Sequence, residues 1–294
     1  MRGVLMIAVT TPTGQIGSEL VGLLLDQDAQ VRVIVRDASR LSDAVRERVE
    51  IVEGSHDDAA VLDKALPGAD ALFWLVPPNP QASSAEAHYL NFARAGRAAV
   101  ARHGVGHVVA VSSAGHGWPT RAGVLSAAFA MDVELAASGA AYRALGLPFY
   151  MENLFRHLES IRTQGTFSLT GAGDHPLAMI ATRDIARTAA GLLVDLAWSG
   201  QEDLPVYGPD RLTPDGMAEV LSQELGRPIT YRRVPIEDYG SLLRSQGADD
   251  QAVQDVAEAF AAHDEGIYDA DWSRAAITGT DFRTWCREVL KPRV

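Results

Sequence analysis

The chain is short of the features that several protein classes require. It has a single cysteine, Cys286, so no intramolecular disulfide can form and no thiolate cluster can hold a metal. Cations are scarce relative to anions: 26 lysines and arginines stand against 38 acidic residues, a net charge of −12. That balance disfavours nonspecific binding to nucleic acid or anionic membrane, which needs a basic surface. No stretch approaches the ~18 uninterrupted apolar residues of a membrane span, and the apolar start Met1–Val9 is too short and lacks a cleavage region. Internal repeats and low-complexity tracts are missing too. These absences predict a cytoplasmic protein with no direct nucleic-acid partner and no membrane partner; the expected partner is a small-molecule substrate, and the expected state a monomer or homodimer.

Two kinds of catalytic site are also missing. The histidines are scattered, and the one pair at helical spacing, His103 and His107, is interrupted by Gly104 and Gly106, so no metal site is expected. Ser112-Ser113 is not set in the glycine-x-serine-x-glycine elbow of a serine hydrolase. Asp255 and Glu258, in the acidic segment Asp249–His263, read as a solvated helix face.

What remains is ordinary globular material, 47% apolar and 22% charged over 294 residues, enough for one large domain or two. In the first half, β-rich apolar runs (Val4–Val9, Val31–Val35, Val49–Val52, Ala71–Val76, His107–Ser112) alternate with segments of helical spacing (Ile16–Leu25, Ala59–Leu66, Ala87–His103). Continuous apolar strands separated by helices specify a parallel sheet covered on both faces. The fold class is therefore α/β: a Rossmann-type doubly wound parallel sheet with a smaller α/β C-terminal substrate lobe. Residues 1–150, completed by elements near 184–208, form the first domain, and 151–183 with 209–294 form the lobe. In the second half, helices are expected at Met131–Ser138, Asp184–Leu196 and Thr213–Leu225, with Asp184 stabilising the start of its own helix. Ala141–Leu145 and Leu204–Tyr207 are strand candidates, and Arg244–Asp250 reads as a mobile connection. Most of these later elements have no obvious place in a regular sheet.

The strongest signal is the turn after the first strand, Thr10-Thr11-Pro12-Thr13-Gly14-Gln15-Ile16-Gly17. A glycine-containing turn at a helix N-terminus aims unpaired N–H groups and the positive end of the helix dipole at one point, an anion site. Gly14 allows the backbone to approach a pyrophosphate, and Gly17 allows the helix to pack on the strand. The second strand ends in Val35-Arg36-Asp37, with Arg40 close by; there an arginine favours a ribose 2′-phosphate and an acid a free hydroxyl. Val76-Pro77-Pro78 and Ser112-Ser113-Ala114-Gly115 fall at two further strand ends, where such folds bind their ligand. The expected cofactor is NADP(H) in preference to NAD(H).

The order of these segments resembles the NmrA-like proteins, a branch of the atypical short-chain dehydrogenase/reductase superfamily. The likeness runs from Val9–Gly17 and Val31–Arg36 through Gly54–Asp57, Phe73–Pro78 and Val108–Ser113. It continues in Ser138-Gly139, Phe149–Leu154, Asp184-Ile185-Ala186, Tyr207-Gly208-Pro209, Leu225-Gly226-Arg227, Thr278-Gly279 and the Phe282/Trp285 pair. The resemblance implies NADP(H) between a Rossmann domain and a small lobe, with Ser55 and His56 near the adenine. Four departures stand out. Thr11 replaces a usual glycine, and a β-branched residue resists positive φ, so the turn is expected to be reshaped or to hold that position at negative φ. Ser55-His56 follow Gly54 where an acid is often found. Ala130 and Met131 occupy the place of the lysine of catalytic members, and Tyr142 lacks the lysine partner of ordinary short-chain reductases.

The candidate catalytic residues are Ser112, at a strand end, His116, the natural general acid by pKa, and Tyr150. Trp74, Trp118, Tyr150 and Asn153 are candidates for the substrate pocket. This set describes an NADP(H)-dependent oxidoreductase reducing a small carbonyl, enone or quinone-like substrate with a non-standard proton donor. Two alternatives stay open: a non-catalytic dinucleotide redox sensor, and an enzyme using the fold for a non-redox rearrangement or cyclisation.

Overall fold

A computed structural model describes residues 4–79 and 81–294. Among these residues thirteen strands occur in chain order: β1 (Met6–Thr10), β2 (Gln30–Val35), β3 (Glu50–Glu53), β4 (Ala71–Trp74), β5 (His107–Ser113), β6 (Ala141–Leu147), β7 (Phe149–Tyr150), β8 (Thr166–Leu169), β9 (Leu177–Ile180), β10 (Gln201–Tyr207), β11 (Arg211–Leu212), β12 (Thr230–Arg233) and β13 (Ala276–Ile277). Eight of them form one sheet in the order β13-β10-β6-β5-β4-β1-β2-β3, with every neighbouring pair parallel. The strand order reverses between β1 and β4, which opens the ligand crevice of a doubly wound sheet at their carboxyl ends.

The helices are α1 (Gln15–Leu25), α2 (Asp43–Arg46), α3 (Ala59–Ala65), α4 (Ala85–His103), α5 (Val124–Ala136), α6 (Leu158–Gln164), α7 (Thr182–Val194), α8 (Pro214–Leu225), α9 (Ile236–Ser245), α10 (Asp250–Asp264) and α11 (Phe282–Trp285). The sheet separates two cores. On one face Ile7, Val9, Leu20, Leu24 and Phe73 pack with Ile185 and Leu193 of α7; on the other Ala8, Leu72 and Trp74 pack with Phe92 of α4 and Met131 of α5. Strands buried on both sides are uniformly apolar, which is why these runs show no alternation.

Three of the later elements find a place in the sheet: β6 and β10 lie in the ranges assigned to the first domain, and β13 in the range assigned to the lobe. They extend the sheet, with β10 in register beside β6 from Gln201 opposite Tyr142 to Pro205 opposite Gly146. A three-stranded sheet β11-β9-β7 and the β8–β12 pair organise the remaining C-terminal material around Met151, Phe167, Met217 and Trp285. Glu152 ties these parts together. Its buried carboxylate accepts from the Thr182 N–H at the start of α7 (3.0 Å) and from Trp285 Nε1 (2.9 Å). Asp184 lies in the first turn of α7, but its carboxylate turns to Thr280, accepting from that residue's N–H and hydroxyl at 2.9 Å each. Arg244 and Ser245 close α9 rather than belonging to a connection, and Asp249 caps α10 through the Ala252 N–H.

Two expectations fail for tertiary reasons. Helix α5 begins at Val124, seven residues before the expected start at Met131. No side chain caps it; its first residue follows Gly123, whose φ is +52° and whose missing Cβ leaves room for the Asp255 carbonyl. Asp255 is not on a solvated face. It is wholly buried and accepts from the Ala85 N–H (2.8 Å), Gln251 (2.9 Å) and Arg121 (2.6 Å), pinning α10 to the starts of α4 and α5. None of the helices among the described residues is long and apolar enough to cross a membrane.

Candidate functional site

The turn after β1 is built by one close approach. A Cβ on Gly17 would collide with the Thr11 carbonyl, so only glycine lets α1 sit against the strand end. Thr11 itself has φ +51°. Neither expected outcome holds: the turn keeps the positive φ of a glycine position and imposes it on a β-branched residue. The Thr11 carbonyl accepts from the Gly14 N–H (3.1 Å), which closes the turn, and the Thr11 hydroxyl is buried with no partner among the described residues. Helix α1 has no side-chain cap and no acidic residue in its first turn, so its leading N–H groups remain open to an anion. Thr13, Gly14 and Gln15 are at or near the surface, whereas Ile16 packs inward with the core.

Thr10 has a different task from the one expected. Its buried hydroxyl donates to the Phe73 carbonyl (3.1 Å) and accepts from the Leu75 N–H (2.9 Å), which fastens the ends of β1 and β4 at the crevice. A buried hydroxyl satisfied in this way is worth roughly 0.5–1.5 kcal/mol per bond.

At the end of β2, Arg36 and Arg40 are both exposed. The Asp37 carboxylate is engaged with Ser39, accepting from its N–H (3.0 Å) and hydroxyl (2.6 Å), and these bonds hold its pKa below the usual value. An open depression of about 220 Å³ beside the turn is lined by Pro12, Thr13, Ser18, Arg40, Leu41 and Ser42.

Beyond β3 and β4 the structure redistributes several expected residues. His56 is 6% exposed and packs on Trp74 (4.9 Å between ring centroids) and Phe92 (4.5 Å). Burial pushes its pKa down to about 4. Trp74, expected as an aromatic wall for a substrate, is a core residue: it is wholly buried and so close to Gly96 that a Cβ there would lie 2.6 Å from the indole. Ser55 is half-buried, Val76 is buried, and the carbonyl of Pro77 accepts from His88 Nε2 (3.0 Å).

The ends of β5 and β6 bring together a group of polar side chains. Ser112 and His116 both meet the carboxylate of Asp132, a residue of α5. Ser112 donates to Oδ2 and His116 Nε2 approaches the same oxygen at 2.9 Å; Tyr142 of β6 donates to Oδ1 at 2.5 Å. Asp132 is 4% exposed, while the His116 side chain keeps 25% of its surface accessible. Burial alone would lower the His116 pKa. The hydrogen bond and charge of Asp132, with Asp203 and Asp271 beyond it, outweigh that effect and hold the pKa above the ordinary value. For Tyr142 burial and the adjacent carboxylate act together and raise the pKa well above that of a free phenol.

The loop carrying His116 is fixed from the C-terminal side. The Gly115 N–H donates to Asp271 (2.7 Å), and Gly115, at φ +93°, has Ile267 where a Cβ would stand. Nearby, Trp118 is half-buried against the cluster that holds Ala114, Ala122, Tyr207 and Ile267, and its indole nitrogen has no partner among the described residues. Tyr150 is half-buried; desolvation, with Tyr89, Tyr268 and Glu152 nearby, raises its pKa, which weakens it as an acid. Asn153 is half-buried in the 3-10 segment that follows β7.

Residues 5–282 match the family model described as the NmrA-like family. The chain belongs to the NmrA-like family. Among curated relatives, the (4-alkanoyl-5-oxo-2,5-dihydrofuran-3-yl)methyl phosphate reductase of Streptomyces griseus is 31% identical, over 87% of this chain and 84% of the relative. The NAD(P)H azoreductase of Xenophilus azovorans is 27% identical over 87% of this chain and 86% of its own. Among solved structures, the NADPH-dependent quinone oxidoreductase of Escherichia coli complexed with NADPH superposes with a TM-score of 0.77 at 23% identity, covering 95% of this chain and 97% of that one.

Within this NmrA-like chain, Asp132 is the site residue that sequence reasoning missed, although a signal for it existed. It is the one acid on the buried stripe Ala127, Ala128, Met131, Asp132, Leu135 of α5. A carboxylate at such a position demands donors, and Ser112, His116 and Tyr142 provide them. Tyr142 has the Asp132 carboxylate as its hydrogen-bond partner among the described residues. No group of three or more metal-binding side chains occurs among the described residues.

Proposed function

We propose that this NmrA-like protein is an NADPH-preferring reductase of a small carbonyl, enone or quinone-like substrate, with His116 as proton donor. The observation that carries the reading is one pairing on the carboxyl edge of a single sheet. The anion-binding turn Thr11–Gly17 ends β1, and the His116–Asp132 pair follows β5.

The residues present fit a dinucleotide. The Gly17–Thr11 approach, the uncapped start of α1 and the unpartnered Thr11 hydroxyl suit a pyrophosphate. Arg36 and Arg40 suit a 2′-phosphate, because Asp37, the group that would select a free ribose hydroxyl, is committed to Ser39. A nicotinamide cofactor supplies the hydride when bound. The chain's own residues must then orient the acceptor and deliver one proton to it. His116 is suited to the second task because its neighbours keep it protonated at higher pH than a free imidazole. It offers what the missing lysine at Ala130 or Met131 would otherwise contribute. Relatives named as an azoreductase, a furanone phosphate reductase and a quinone oxidoreductase support the reading. We assign the cofactor to residues 1–150 with the elements near 184–208, and the substrate to 151–183 and 209–294 with Trp118, Tyr150 and Asn153.

The test is NADPH oxidation across a panel of quinones, enones, ketones and azo compounds. Turnover with at least one class is expected. Saturable NADPH binding with no turnover anywhere in the panel would replace this reading with a non-catalytic dinucleotide sensor.

A further inference from the structure

Three donors from three places in the chain converge on one carboxylate: Ser112 of β5, Tyr142 of β6 and His116 of the loop after β5 all meet Asp132 of α5. An isolated carboxylate at this depth in an apolar helix face would be strongly disfavoured. The convergence has a chemical consequence that goes beyond stability. Because Ser112 and Tyr142 give their hydrogens to Asp132, their oxygens present only lone pairs to anything else. His116 holds Asp132 through Nε2–H, so Nδ1 is the ring position left to exchange a proton.

We propose that Asp132 is a positioning residue that sets the proton inventory of the site: it presents Nδ1 of His116 as the proton donor and turns Ser112 into an acceptor. Its catalytic consequence rests on the reductase reading above, whereas the coupling of Asp132 to His116 does not. Ser112 therefore does not polarise a substrate carbonyl, the part a strand-end serine would otherwise play. Instead it shares the Asp132 charge with His116. Each hydroxyl donated to Asp132 weakens the pull of that carboxylate on the imidazole, so removing a hydroxyl makes His116 more basic, and removing the carboxylate makes it less basic.

The other groups facing His116 do not undo this logic. Phe129 of α5 packs on the ring at 4.3 Å between centroids, tilted by 53°. Asp203 of β10 and Asp271 add negative charge, and Arg274 pairs with both, at 2.5 Å and 2.7 Å, which blunts their effect. Asp132 alone of these carboxylates is hydrogen-bonded to the ring.

The experiment is an NMR titration of the His116 imidazole in the full chain, its signal identified by loss in His116→Asn. Asp132→Asn should move the midpoint to lower pH, and Tyr142→Phe should move it to higher pH. Opposite shifts from two neighbours of one ring are not what a merely structural role produces. If Asp132→Asn does not fold, Tyr142→Phe decides alone; an unchanged or lowered midpoint in that variant overturns the proposal. NADPH oxidation across the same panel of quinones, enones, ketones and azo compounds is followed in parallel, and the alkaline limb of kcat should track the NMR midpoint in each variant. Expected NMR shifts without turnover in any protein of the series would leave the Asp132 coupling intact and sink the reductase reading. Turnover with a limb that ignores the midpoints would keep the reductase and overturn the positioning role.

Discussion

Gly17 rests against the carbonyl of Thr11, at a place where a Cβ would collide with that oxygen. The approach joins β1 to α1, and it coincides with a β-branched residue held at φ +51°. The turn therefore combines one position that tolerates only glycine with another that would prefer it.

Opposite outcomes are expected from exchanging these two residues. Gly17→Ala should cost at least the ~1–3 kcal/mol of an overpacked interior site, because the obstacle is backbone and cannot swing aside. Thr11→Gly should relieve the ~1–2 kcal/mol that a side chain pays in the left-handed region. Glycine's extra backbone entropy gives back about 0.5–1 kcal/mol of that. Thermal unfolding checks both: Tm should fall sharply in the first variant and hold or rise in the second.

Selectivity for NADPH should reside in Arg36 and Arg40, exposed at the end of β2 beside an Asp37 turned to Ser39. Replacing either with alanine should weaken NADPH binding by about 1.5–3 kcal/mol, the worth of a charge-assisted contact. NADH binding should hardly change. Titrations with both cofactors decide the matter, and equal losses for the two would remove these arginines from that role.

Turnover should depend on protonated His116. With its pKa raised by Asp132, kcat/KM should stay high through the ~6.5 of an ordinary imidazole and fall only at higher pH. His116→Asn should lower kcat by about 10²-fold or more, the contribution of a positioned acid, and should abolish that alkaline fall. A pH–rate profile of the two proteins is the measurement; an unaltered profile in the variant would show that another group donates.

Stability should fall on mild acidification because of His56. The residue is buried between Trp74 and Phe92 and has its pKa lowered to about 4, so the folded chain holds it neutral while the unfolded chain takes up a proton near ~6.5. Its contribution is complete above ~6.5 and is lost as the pH drops toward 4, by a total on the order of 3 kcal/mol. Denaturant unfolding at several pH values should show this decline, and His56→Leu should flatten it. His263, whose Nε2 faces the Tyr268 hydroxyl at 2.6 Å and whose pKa burial also lowers to about 4, should leave a residual decline in that variant.

Much of the molecule could be read along the chain. The alternation of apolar runs with helical segments identifies the parallel sheet, since strands buried on both faces have no polar side to show. The turn Thr10–Gly17 can be placed between β1 and α1 because its close approach needs glycine, and glycine positions are visible in a sequence. Where the reading went astray, the deciding contact was distant. Asp255 looks like one acid among several in α10, yet Ala85 and Arg121, more than a hundred residues earlier, bury it. Trp74 looks equally suited to a pocket or a core until Gly96 is placed against it.

Sequence alone determined the α/β class, the family and the position of the glycine-containing turn after β1, because periodicity, glycine placement and the order of segments are local properties of the chain. Tertiary structure alone decided that Asp255 is buried and that its carbonyl stands where a Cβ of Gly123, just before α5, would lie. It also decided that Asp132 gathers Ser112, His116 and Tyr142 into one hydrogen-bonded group. The physical reason is the same throughout. A hydrogen bond or steric contact between residues far apart in the chain comes into being only when the sheet brings their elements together, and neither partner's identity announces the other.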